Sequence, residues 1–146
     1  MERISISKKI KILLVIICLV AITGISVYIF LPFLSVHHDK TLEKNLNYKL
    51  KEEGTNSLDL GDYIEYDWKK AYIFTPYTTE VDMKKILGLT FHDPVNMSIR
   101  DDIELLVVIK EDDTFEYMSV DLRYGYLQQN GEYITPKNDV IEITRP

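Results

Sequence analysis

Three histidines and two acidic runs are the residues in this 146-residue chain with the most obvious chemistry. His37 and His38 are adjacent and are followed by Asp39. Neighbouring side chains on a helix or a strand point in different directions. Such a pair holds a metal only if the fold brings a third ligand, so the trio reads as a polar junction. His92–Asp93 precedes Pro94 and reads as a turn. A catalytic pair would also need a nucleophile oriented by its base, and nothing in the sequence ties Ser98 or Ser119 to His92. The acidic runs are "RDDIE" at 100–104 and "EDD" at 111–113. A calcium loop needs alternating oxygen ligands and a glycine at its bend. Neither run has that glycine, so both read as solvated turns. Paired carboxylates for glycoside cleavage stay open, although a domain this small has little room for a sugar cleft. The glycines at 54, 61, 88, 125 and 131 form no phosphate-cradling cluster. No metal and no cofactor is implied.

A second kind of chemistry lies in "DWKKAYIFTPYTTE", residues 67–80. It holds the chain's one Trp, and its aromatics suit either a core or a ligand platform. Read at the two-residue period of a strand, Trp68, Tyr72 and Phe74 share one face, with Ala71 and Ile73 on the other. That is the pattern of a strand buried on both sides, so the segment is expected to be mainly structural. Pro76 lacks a ladder donor and ends the strand. Tyr77 then falls in a turn, where binding residues often sit. Tyr63, Tyr66, Pro76 and Tyr77 are therefore the candidate partner-binding rim.

These residues need a scaffold, and the scaffold begins with an apolar run. Residues 12–36, "ILLVIICLVAITGISVYIFLPFLSV", carry no charged side chain. As a helix they would cover roughly 37 Å, against about 30 Å for a hydrocarbon core. A cleavable signal peptide has a shorter apolar region, about 7–15 residues. The run is expected to be a retained transmembrane anchor in contact with the lipid bilayer. Cys18 is the only cysteine. A lipoprotein signal wants a small residue before it, where Ile17 stands, so Cys18 reads as an apolar membrane residue.

Charge orients the anchor. Residues 1–11 hold Arg3, Lys8, Lys9 and Lys11 against Glu2, whereas residues 37–146 hold 13 basic and 22 acidic side chains. The positive-inside bias puts the basic tail in the cytoplasm and the C-terminal part outside. An acidic domain is a poor nucleic-acid binder and is steered toward basic partners. Without disulfides it must be held by its core.

In the outer part, Asp39 or Thr41 caps a helix whose Leu42, Leu46 and Leu50 recur four apart. It is expected to be a stalk or to lie against the domain. A strand over 68–74 is followed by a short helix from Thr78 or Thr79 to Leu87, with Met83, Ile86 and Leu87 buried and Gly88 as its end. "IELLVVI" at 103–109 is the strongest strand, apolar on both faces and central. Strands at 115–120, 133–134 and 140–144 follow. The predicted class is α+β: an N-terminal transmembrane helix, then a small domain with an antiparallel sheet and one or two helices. The predicted division is a basic tail 1–11, an anchor 12–36, a stalk helix and linker 37–57, and an extracytoplasmic domain 58–146.

"DLGDYIEYDWKKAYIFTPYT", followed after a short helix by "LG" and then "IELLVVIKEDDTFEYMSV", resembles a group of small bacterial membrane-anchored or secreted proteins. In that group an aromatic-Asp-Trp segment leads into a Tyr-Ile-Phe strand and a Pro-Tyr-Thr turn. The likeness covers about residues 58–120 and departs at Lys69, where an acidic residue would be expected. It implies an anchored, outward-facing domain and no particular activity.

The sequence thus favours a non-enzymatic binding or interaction module outside the membrane with a protein partner. One version is an immunity or inhibitor protein that intercepts a toxin or an extracellular enzyme. The alternative is a small cell-envelope enzyme or metal-dependent factor, assembled from an acidic run or His92 by the fold.

Overall fold

The computed structural model describes the backbone of residues 2–34 and 36–145, and the side chains of 8, 10–27 and 36–145. Arg3 and Lys9 of the basic flank lie outside the described side chains. Two units separate, 1–34 and 35–146.

The first unit is one helix, α1 (Glu2–Leu34). Within it Ile10–Val27 has a mean hydropathy of 2.8, and none of that stretch is buried. By length and composition it is able to span a membrane. The helix starts earlier than the apolar run and stops before its end. Residues 2–11 contain no Gly or Pro to break it. Val36, expected in the anchor, instead begins a strand.

The second unit is α+β, as expected. Strand β1 (Val36–His38) leads into helix α2 (Lys40–Lys51), then β2 (Ser57–Asp59) and β3 (Trp68–Phe74). Helix α3 (Glu80–Leu87) precedes β4 (Ile103–Lys110), β5 (Phe115–Asp121), β6 (Tyr126–Gln129) and β7 (Val140–Thr144). Two sheets form, ordered β1-β5-β4-β3 and β2-β7-β6. All pairings are antiparallel except β1 with β5. Every residue of β4 from 103 to 109 is buried, as a strand covered on both faces requires.

One face of the four-stranded sheet packs on α2 and on the three-stranded sheet. Leu106, Val108 and Val120 meet Leu42, Leu46, Leu50, Leu127 and Ile141 there. The other face, with Tyr72, Phe74, Leu105 and Val107, packs on Met83, Leu87, Phe91 and Met97. The helix ends are set locally. Asp39 accepts the Leu42 N–H at 2.9 Å to start α2. Thr79 accepts the Asp82 N–H to start α3, and Gly88, at φ 67°, ends it. The guanidinium of Arg145 donates to the carbonyls of Leu50, Glu52, Thr55 and Tyr124. It thereby satisfies orphan carbonyls where α2 ends.

Four expectations are corrected. Of the two places expected for helix α2, it takes the one against the domain and is not a stalk: its three leucines are fully buried, so the compact unit begins near residue 35 and not at 58. Trp68 is buried, at 7% exposure, but not on the face of Tyr72 and Phe74. A bulge at Lys69 sets Trp68 and Lys70 opposite the consecutive residues Lys110 and Ile109. The extra residue shifts the alternation by one and turns Trp68 to the α2 side, beside Ala71. Ile86 is 51% exposed, whereas Met83 and Leu87 are buried. Glu104, read as part of a solvated acidic turn, is 2% exposed inside β4.

Candidate binding groove beside strand β3

Strand β3 is the last strand of its sheet, so one side of its backbone needs other partners. Ala71 exchanges two 2.9 Å hydrogen bonds with Ile134, N–H to carbonyl in each direction. One pleat further on, the Ile73 N–H faces the same way. It donates to Oε1 of Gln129 at 3.2 Å. The Gln129 amide nitrogen donates in turn to the carbonyls of Gly131 and Glu132. A side-chain amide thus stands where a strand residue would continue the ladder that Ile134 begins. The Ile73 carbonyl lies on that same outer side by strand alternation. Among the described residues it takes no donor.

Beside this edge runs a groove of about 760 Å³, within the size range of ligand sites. Tyr72 and Phe74 form part of its wall, Asp82, Lys85 and Ile86 of α3 another part, and Glu132 and Tyr133 the third. The Lys70 ammonium lies 4.1 Å from the centre of the Tyr133 ring, a cation–π contact. Tyr133 also meets Tyr72 at 6.0 Å between ring centres. The groove therefore offers aromatic walls, two lysines, two carboxylates and an open stretch of backbone.

The four rim residues expected from sequence are not brought together. Tyr63 and Tyr66 are half-buried against the core on the α2 side. The Tyr66 hydroxyl is buried and, among the described residues, has no hydrogen-bond partner, and the Lys110 ammonium sits 5.0 Å from its ring centre. Burial, then the nearby charges of Asp39 and Glu116, push its phenol above the usual range. Pro76 is half-buried beyond the other end of β3. Tyr77 follows it, 61% exposed, in left-handed backbone at φ 65°. Its N–H donates to the carbonyls of Met97 and Arg100. Tyr66 and Tyr77 flank opposite ends of a seven-residue strand, roughly 20 Å apart at the usual rise.

His38 and His92 have structural partners. His38 bonds Glu43 at 2.8 Å and stacks on Tyr117. His92 lies 3.5 Å from Glu80, while Asp93 closes the expected turn by accepting from the N–H groups of Val95 and Met97. Among the described residues no three His, Cys, Asp or Glu side chains are placed to hold a metal. The groove residues Lys70, Lys85, Gln129 and Tyr133 were not singled out from sequence. No local signal marked the groove: Ile86, three residues after Met83, reads from sequence as part of the buried stripe.

Comparison of the chain with protein-family models, curated proteins and solved structures finds no match, so the reading of the site rests on its geometry.

Proposed function

We propose that this protein is a single-pass, membrane-anchored binding module, with its basic end in the cytoplasm and its acidic domain outside. It acts without catalysis and engages an extended segment of a protein partner along the groove beside β3. An immunity or inhibitor role toward a basic toxin or enzyme is one form this takes.

The observation that carries the reading is the open Ile73 position on an edge strand. A backbone N–H held only by a side-chain amide, next to a carbonyl without a donor, suits recognition by strand addition. The aromatic walls supply pockets for alternate side chains. The apolar run of α1 and the positive-inside bias support the topology.

The test is a pull-down from envelope extract with full-length chain in lipid nanodiscs, comparing wild type with Ile86→Asp and Tyr66→Phe. A saturable partner kept by wild type and Tyr66→Phe and lost by Ile86→Asp is the expected outcome. A partner lost with Tyr66→Phe and kept by Ile86→Asp places recognition elsewhere and ends this reading.

A further inference from the structure

Glu104 is the only buried charged residue among those described. It sits on β4, one of the two inner strands of the four-stranded sheet. Its Oε2 accepts the Leu127 N–H of β6 at 2.8 Å. It therefore joins the two sheets through a side chain and a backbone amide. Strand β6 touches the larger sheet again two residues later, where Gln129 accepts from Ile73. Leu127 and Gln129 lie on the same face of β6 by alternation.

We propose that Glu104 is a proton-operated latch on β6. Neutral, it keeps the three-stranded sheet seated on the four-stranded one. Ionised, it loosens that seam and the Gln129 closure over the β3 edge with it. The latch stands on the packing alone; its consequence for the groove rests on reading the groove as the binding site.

A buried carboxylate is tolerable when cations or several donors surround it. Among the described residues Glu104 has one N–H and no cation. Val120 lies opposite it on β5. The charged groups of the surrounding elements are committed elsewhere or exposed. Asp121 of β5 pairs with Arg123. Glu43 of α2 accepts the Ser119 N–H. Lys70 of β3 lies on Tyr133. Tyr126 of β6 and Glu142 of β7 are exposed. Burial pushes the Glu104 carboxyl up from 4.5 to about 7, against a smaller pull from the Leu127 N–H.

The sign follows from linkage. An acid raised in the closed state binds more protons there than in an opened, hydrated seam. Closure is therefore fully favoured below about 4.5 and is weakened as pH rises toward 7, beyond which the loss is complete.

Hydrogen exchange read by mass spectrometry on the full-length chain in nanodiscs tests this, at pH 4.5 and 7.5, after correction for intrinsic exchange. Protection of residues 123–130 is expected to fall on the order of a hundredfold in wild type, as the offset between the two states sets. Protection of residues 103–109 and 115–121 stays within a few-fold. Glu104→Gln and Glu104→Leu, which cannot ionise, abolish the pH dependence. Equal protection of 123–130 at both pH values in wild type overturns the proposal. So does a parallel fall across 103–121, or the same fall in both variants. Loss of the groove-partner result leaves this exchange pattern untouched, so the two readings fail separately.

Discussion

The two sides of the four-stranded sheet face the same problem and answer it differently. On the β5 side, β1 pairs with only the first residues of the strand, Phe115 to Tyr117. Helix α2 closes the rest with side chains. Glu43 accepts the Ser119 N–H at 2.8 Å, Asn47 accepts the Asp121 N–H at 2.9 Å, and Asn47 donates to the Ser119 carbonyl at 2.8 Å. On the β3 side one residue, Ile134, pairs as a strand would, and one amide, Gln129, follows it. An edge can be closed without a strand, provided that a rigid element aims enough polar side chains at it. The helix beside β5 does so fully. The end of β6 and the loop after it do so in part beside β3, and the groove lies along the part left open.

The largest effect expected from this contrast is at the helix that seals the closed side. Leu46 is fully buried, so Leu46→Ala should cost about 2–5 kcal/mol. Denaturant titration read by Trp68 fluorescence measures it. Ile86→Ala beside the open edge should stay within about 0.5 kcal/mol. Comparable losses at the two helices would erase the distinction.

Next come the two amides. Asn47→Ala removes a donor and an acceptor from β5 in a half-buried place and should cost about 2 kcal/mol or more, since unmade buried bonds are expensive. Gln129→Ala opens a position that water in the groove is able to reach, and about 1 kcal/mol or less is expected. Amide exchange at Ile73 should rise in Gln129→Ala with little change in global stability. A Gln129→Ala domain as damaged as Asn47→Ala would mean that the β3 edge is structural after all.

The smallest effect is at Tyr77. Its left-handed backbone is strained for a non-glycine residue. Tyr77→Gly should therefore hold or raise stability by up to about 1 kcal/mol. If Tyr77→Gly melts earlier instead, the ring contributes packing that its exposure does not suggest.

Much of the scaffold was legible because it is written locally. The leucine stripe of α2, the Thr79 cap and Gly88 end of α3, and the unbroken apolar run of β4 each depend on neighbours in the chain. The groove was not legible, because Lys70, Lys85, Gln129 and Tyr133 come from three separate stretches and meet only in the fold. Trp68 was placed on the wrong face by one bulged residue. Lys69 gives no sign of that bulge, which is fixed by pairing with β4. Glu104 did leave a sign, a lone carboxyl inside "IELLVVI". Counting it with the preceding aspartates of a surface turn hid it. The density of aromatics drew attention to Tyr63, Tyr66 and Tyr77, yet an aromatic beside a strand is as readily a flank of the core as a rim.

Arg145 bears on the order in which the domain can be completed. Its guanidinium reaches back to the Leu50 carbonyl, 95 residues earlier. Strand β7 likewise lies between β2 and β6, so neither has a ladder partner until β7 is made. Contacts of such long range are slow to form, because the closure entropy comes before the gain. During synthesis α2 is complete early, with three leucines and no finished sheet to bury them. Its last carbonyls stay open to water until nearly the whole domain has followed. A growing chain therefore carries a sticky, half-capped helix for most of its assembly, and it becomes safe from misassociation only in a late, cooperative step.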